Sequence, residues 1–496
     1  MLLSHPRFIK YERFWLIVIF TLCSIVYCLI SLVNHYLFHT AAFDLGIFNN
    51  ALYCISHFRT SFLTLNIFSP GTNLLGDHFS PIMFLYIPFY YLFGSYTLLL
   101  IQIALILFGG WGIYKYCKLK FPESYIPLII TLQFFGIWGI YSALSFDFHN
   151  NVVGAMFVPW LVYYYEKQNK KLFLTCFLLI LISKENMALW LAFIMVGLML
   201  KNGLRNFKKH LKFEVPLLVF ALIYFYIVVS FIMPPLQHGH GNYQLYRYEA
   251  LGNSLPAIIK TILEKPGYVF GLLFNNSLGN PEFDGIKTEL HYMVLMSGGL
   301  ALLYRPYYFV MLLPIYAQKL LTTDVTLWGI NAQYSIEFAP ILSLALADSV
   351  ASVNSIKARY YLCIGYTALT HIVNIHSMDD RKAWAYNKTN TRYYNEGHYN
   401  SELNLGAVYD ALKLVPDDVP LSVSSSFAPH LANREKIYSF PDIKDAQYLV
   451  LMMPMSSHSS YPLSDVDFLK AVDTCKASGR YLAIYDANKV LILKKK

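Results

Sequence analysis

The sequence predicts a polytopic bundle of transmembrane helices, mainly α, with a small α/β unit at the C-terminal end. Three observations carry this. Of the 496 residues 56% are hydrophobic and only 14% charged, against about 25% charged in an ordinary soluble domain. Apolar stretches long enough to approach a bilayer's thickness recur from Phe14 to His376 and then stop. The remaining residues, 377–496, have the composition of soluble sequence. The expected division is therefore a membrane unit over 1–376 and a polar unit over 377–496.

A helix needs roughly 20 apolar residues to cross the hydrocarbon core. Eleven segments approach this: 14–33, 96–114, 124–144, 151–165, 172–182, 187–200, 213–233, 288–304, 306–320, 335–354 and 360–376. The first follows Arg7, Lys10 and Arg13 and is too long for a signal peptide, so it reads as an uncleaved helix. The segment 81–93 is short and holds two prolines, which suits a juxtamembrane or re-entrant helix. With the N-terminus in the cytoplasm, the inner connections hold 17 Lys and Arg and the outer ones 6. That bias fits the positive-inside rule and places the C-terminal unit outside.

The same bias explains the net charge of +9, because the basic residues cluster between apolar segments. No basic stripe of the kind nucleic acid requires is present, so that class of partner is excluded. Seven cysteines show neither CxxC spacing nor an even framework, and most lie in or beside apolar spans. They read as small hydrophobes.

Within this topology the unusual polar residues gather on the outer face. Asp44, in FDLG, follows the first span, where a partly buried carboxylate with a raised pKa would suit a general base. Helix N-capping is the plainer role. Its surroundings, 43–58, have apolar residues at helical spacing and predict an amphipathic helix lying in the interface. Asp77 and His78 in GDHF, and Asp147 and His149 in FDFHNN, form two Asp-with-His pairs. Carboxylate and imidazole together suit a divalent metal such as manganese, zinc or iron, or a phosphate, whereas loop capping needs neither. Lys184 and Glu185 in SKEN form either a structural ion pair or a phosphate clamp in which Glu185 orients the lysine. His238 and His240 have chelate spacing in a long loop, a weak signal, and Tyr243, Tyr246 and Tyr248 could stack on a sugar ring.

The tail alternates strand and helix signals. Strands are expected at 421–426, 436–440 and 446–453, then a helix capped by Ser464 and ended by Gly479. A hairpin turning at Ala487-Asn488 closes the unit. Pro429, His430 and Arg434 are its most site-like residues, and Arg434 is the one carried forward as a phosphate-binding candidate.

Taken in order, FDLGIF, GDHFSPI, FDFHNN, SKENMAL and FAPHLANREKIYSFP resemble the bacterial membrane proteins of the domain of unknown function 2079 family, over roughly residues 40–455. That family is grouped with the GT-C superfamily of polytopic glycosyltransferases, which includes protein mannosyltransferases and the aminoarabinose transferases of lipid A. The resemblance implies an enzyme of the cytoplasmic (inner) membrane acting on its outer face. It would transfer a sugar, with inversion, from a polyprenyl-phosphate donor to a glycan, lipid or protein acceptor. It also implies roles. Asp44 stands where the superfamily carries its essential acid after the first helix, and Asp147 where a second acid follows the third. His78-Phe79-Ser80-Pro81 looks like a loosened His-Pro-Pro motif. The sequence departs in having Leu45, not a second acid, after Asp44. The alternative is a transporter or lipid translocase without glycosyl chemistry. Such a carrier would need polar groups near the midplane and related halves, whereas the spans are nearly free of charge and show no matching broken helices in two halves.

Overall fold

The computed structural model describes residues 11–66, 71–203, 205, 207–237, 245–383, 386–455 and 460–496. His238, His240 and Tyr243 lie outside them. All the apolar segments singled out above are helical, from Glu12–Tyr36 to Ile356–Asp379. By length and composition, four of the described helices can cross a membrane: Glu12–Tyr36, Pro81–Lys120, Ile126–Phe146 and Glu214–Leu236. A fifth candidate is the pair Val325–Ser335 and Phe338–Ala351, which meet at 68°.

Several expected spans prove to be broken. The segment read as 124–144 is two helices, Ile126–Phe135 and Trp138–Phe146, and 151–165 is Asn150–Met156 followed by Val158–Glu166. The 288–304 segment is interrupted at Leu295–Gly299, where Gly298 takes φ +104°, a conformation open to glycine. Hydropathy does not register such breaks, because the residues on either side are apolar.

The break before Trp138 sets up a close contact. A Cβ on Gly139 would lie 2.2 Å from the carbonyl oxygen of Ser335, part of the turn Ala332–Ser335. Backbone cannot yield as a side-chain tip does. Gly139→Ala is therefore expected to destabilise the protein by about 1–3 kcal/mol through overpacking, seen as earlier thermal unfolding in detergent.

One charge inside the apolar segments, that of Asp348, is neutralised in place. Asp348 meets Lys120 at 3.0 Å and Lys201 at 2.9 Å. It also accepts hydrogen bonds from the hydroxyls of Tyr116 and Tyr308. The basic residues that define the positive-inside bias thus also tie the ends of several helices together.

The C-terminal part holds one five-stranded sheet. Its strands are β1 (Leu421–Val423), β2 (Ile437–Ser439), β3 (Tyr448–Met452), β4 (Tyr481–Ala487) and β5 (Val490–Lys495), in the order β2-β1-β3-β5-β4. β1 pairs in parallel with β2 and β3, whereas β5 is antiparallel to β3 and β4. The helix Asp465–Ala477 starts where expected, with Ser464 Oγ accepting the Asp467 N–H. The hairpin turns one residue later than the sequence suggested, at Asn488 and Lys489, which take φ +53° and +63°. Two consecutive positive φ values match a type I′ turn and the twist of its strands.

One apolar core joins this sheet to the first long loop. Leu45, Phe48, Leu52 and Leu65 pack in the same cluster as Val423, Phe427, Ile437, Val450 and Ile492. The loop helix Ile47–Ser56 was expected to lie in the membrane interface. It is instead buried on most sides. Its Asn49 Nδ2 donates to the Pro429 carbonyl, and its Asn50 Nδ2 to those of Ala432 and Arg434. The C-terminal part supplies the cover that periodicity alone assigned to lipid and water.

Candidate functional site

Asp44 leaves the helical path. Between Ala42 and Gly46 its φ and ψ are +72° and −86°, sparsely populated for any residue with a Cβ. Such strain persists where surrounding structure enforces it. Here Leu45 and Gly46 are buried, and the Ala42 N–H is held by Ser425 Oγ of the C-terminal part. The carboxylate is left with its side chain one quarter exposed.

Asp147 is also strained, with φ +153° at the end of Trp138–Phe146. Its Oδ2 accepts the Ala41 N–H at 3.3 Å. Gln102, fully buried on the helix Thr97–Lys120, braces this turn from below. Its Nε2 donates to the Asp147 carbonyl at 2.7 Å, and its Oε1 accepts the His149 N–H at 3.0 Å. A glutamine within an apolar helix is a signal sequence reading could have used, since a buried amide must find partners.

The imidazoles do not pair with their sequence neighbours. His149 Nε2 lies 3.2 Å from Asp44 Oδ1, not beside Asp147. His78 Nδ1 lies 3.4 Å from Glu185 Oε1, not beside Asp77. Glu185 Oε2 also accepts the Phe79 N–H at 3.0 Å, pinning the GDHF turn to the start of the helix Glu185–Asn202. Adjacent residues on an irregular segment point apart, so each imidazole finds a carboxylate from elsewhere in the chain. Asp77 is half-buried at the end of the turn Leu74–Asp77 and is not drawn into either pair. Among the described residues no group of three or more His, Cys, Asp or Glu is arranged to hold a metal ion. The proposed metal set of Asp77, His78, Asp147 and His149 is not assembled.

Lys184 is half-buried and forms no ion pair with the described residues. Its charge nevertheless acts on Asp44 and His149. The Lys184-Glu185 ion pair considered from sequence is replaced by Glu185 with His78. Arg434 is not brought to this group. It is buried in the C-terminal part, where Nε donates to the Leu431 carbonyl and Nη1 to those of Pro416 and Val419. Its guanidinium is consumed in holding a loop.

The two aspartates are driven in opposite directions. Burial pushes the Asp44 carboxyl up. The charge and hydrogen bond of His149, with the charges of His78 and Lys184, outweigh burial and hold it below the usual carboxylate value. The raised pKa expected for Asp44 from its interfacial position is thus corrected by partners the sequence did not place beside it. Burial raises Asp147 well above its ordinary value. The Ala41 and Leu45 N–H groups oppose this only in part, and the Asp44 charge adds to it. His149 is lowered by burial, against the pull of Asp44. At neutral pH this describes an ionised Asp44 hydrogen-bonded to a neutral imidazole. Environments that drive neighbouring acids apart are how one site assigns them different roles.

No curated protein matched the chain. Among solved structures, ArnT from Cupriavidus metallidurans bound to undecaprenyl phosphate is similar over 97% of each chain, at 10% identity and a TM-score of 0.52. The same protein in the apo state gives 11% identity, 97% of each chain and a TM-score of 0.50. The apo Archaeoglobus fulgidus oligosaccharyltransferase gives 12% identity over 90% of this chain and 70% of that one, with a TM-score of 0.40. The likeness to ArnT is one of fold, and the fold is GT-C-like. A family model described as predicted membrane protein (DUF2079) matches residues 34–471, and the chain belongs to that family.

Proposed function

We propose that the protein is a membrane glycosyltransferase that moves a sugar from a polyprenyl-phosphate donor to an acceptor on the outer face of the membrane. The observation that carries this reading is the Asp44 carboxylate set 3.2 Å from His149 Nε2 on the strained Ala42–Gly46 turn, on a fold like that of ArnT. The acceptor hydroxyl gives its proton to the Asp44 carboxylate as its oxygen bonds to the anomeric carbon. The bond from that carbon to the donor phosphate breaks on the opposite face, and lipid phosphate leaves with inversion. Lys184 neutralises the departing phosphate and His78 or His149 stabilises it by hydrogen bonding, the kind of preorganised electrostatic contact that lowers such barriers most. Asp147 shapes the Ala41–Leu45 turn and so aims Asp44. In this reading the eleven helical segments cross the bilayer, the N-terminus is cytoplasmic, and the C-terminal sheet stands outside as a cover on the first loop.

Lys184 gives the first test. A charge-assisted hydrogen bond contributes roughly 1.5–3 kcal/mol, so Lys184→Ala is expected to weaken undecaprenyl phosphate binding by about tenfold to a hundredfold. Native mass spectrometry of the purified protein in nanodiscs would measure it, with undecaprenol as the neutral control. Equal affinity for the phosphate and the alcohol, unchanged in the variant, would overturn the donor assignment.

A further inference from the structure

The helices Leu255–Glu264 and Pro266–Leu272 carry an apolar surface that the rest of the described chain leaves open. Leu255, Ile259, Ile262 and Leu263 recur at i, i+4, i+7 and i+8, and so share one side of the first helix. All are exposed, Leu263 by 75%. The opposite side carries Lys260 and Glu264, 3.9 Å apart and largely exposed. The second helix extends the apolar surface through Phe270, 64% exposed, to Phe274 beyond its end.

The inner edge of the pair is firmly held, so the open edge is not a loose loop. Ile258 and Leu272 pack with Leu251 in a small core of their own. Lys287 Nζ donates to the carbonyls of Leu272 and Leu320, at 2.6 and 2.8 Å. The Phe274 ring lies 4.7 Å from that of His291, on the helix Ile286–Val294. That contact makes the surface continuous with the outward side of the next apolar segment, where Tyr292 and Leu295 are exposed. An apolar face that runs onto the exposed side of a second apolar helix has one natural neighbour, the hydrocarbon boundary of the bilayer. Lys260 and Lys265 on the polar side suit lipid phosphates.

We propose that Leu255–Glu264 and Pro266–Leu272 form an interfacial hairpin seated in the leaflet at the end of the bundle that carries Asp44, with the lipid surface as its partner. The hairpin is joined at Leu251 to the turn Leu245–Tyr248. The Arg247 carbonyl there accepts bonds from Thr322 Oγ1 and from the N–H and Oγ1 of Thr323. The Arg247 guanidinium meets Asp324 at 3.5 Å. Seating the hairpin in lipid therefore also anchors the segment Thr322–Asp324 that Arg247 holds. The proposal depends on the membrane setting and not on the reaction.

The test places a fluorophore sensitive to polarity on each face. Native cysteines are buried or half-buried, so I259C, L263C and K260C can be labelled in the full chain, with the unmodified protein as the blank. In nanodiscs doped with doxyl-labelled lipid, labels at 259 and 263 are expected to emit at shorter wavelength than the label at 260. They should also be quenched several-fold more. Water-like, equally weak quenching at all three positions would overturn the proposal. So would a blue shift at 259 and 263 that doxyl lipid leaves unquenched, because that would mean a protein surface covers the face. A loss of glycosyl transfer has no bearing on this readout.

Discussion

Replacing Asp44 by asparagine is expected to lower the rate of sugar transfer by about 10²–10⁴, the usual contribution of a positioned general base, with folding intact. The variant is conservative at each contact. Asparagine keeps an oxygen to accept the His149 Nε2–H at the 3.2 Å separation seen for Asp44. It also tolerates the positive φ of +72° better than most residues. What it removes is the charge and the proton acceptor. The measurement is kcat/KM against a panel of polyprenyl-phosphate sugars, with thermal unfolding as the control for structure. The pH profile adds an independent check. A carboxyl held below its ordinary value stays ionised as pH falls through the usual carboxylate range, about 3.9 for aspartate, and loses its function only below that. The parent is therefore expected to show no acid limb from Asp44 between about pH 5 and 8. Transfer by Asp44→Asn within about threefold of the parent would remove Asp44 from the chemistry, since a base contributes far more than that.

Much of this site was legible in the sequence. Asp44, His78, Asp147, His149, Lys184 and Glu185 stood out because ionisable groups flanking apolar helices are costly and need a reason. The helical segments were legible for the same reason, as bulk hydropathy, and the tail strands as short apolar runs between turn residues. Pairing was not legible. Sequence proximity joined His78 to Asp77 and His149 to Asp147, while the fold joins them to Glu185 and Asp44. The choice is made by the crossing of four separate segments, which no local pattern encodes. The protonation behaviour failed in consequence. Burial alone raises a carboxyl, and the unforeseen imidazole beside Asp44, helped by His78 and Lys184, reverses the sign there while Asp147 follows the simple rule. Arg434 misled for a related reason. A lone arginine in a polar segment has the same signature whether it meets a phosphate or, as here, backbone carbonyls. The loop helix Ile47–Ser56 misled because periodicity reports an apolar face without reporting what covers the polar one.

Asp147 yields the sharpest contrast between two substitutions. Asp147→Asn is expected to fold at least as stably as the parent and to keep sugar transfer, and Asp147→Leu to lose transfer together with about 1–3 kcal/mol, the cost of a buried donor left unpaired. The asparagine oxygen still accepts the Ala41 N–H that Oδ2 now holds at 3.3 Å. Leucine strands that N–H and also sits poorly at φ +153°. The sign of the pH dependence follows from the direction of the shift. A carboxyl whose folded-state pKa is raised binds its proton more tightly in the folded protein. Its stabilising contribution is complete below the unfolded value, about 3.9, and is lost as pH rises through the folded value. The parent should therefore lose stability relative to Asp147→Asn as pH rises from about 4, the gap levelling off once Asp147 is ionised in the folded state. Thermal unfolding of both proteins across that range measures the gap directly. A gap that narrows with rising pH would mean that Asp147 is stabilised as the anion, by a cation the described residues do not provide. Lost transfer in Asp147→Leu beside preserved transfer in Asp147→Asn, alongside lost transfer in Asp44→Asn, would place both acids in one functional unit, because the Ala41–Leu45 turn that Asp147 holds is the turn that aims Asp44.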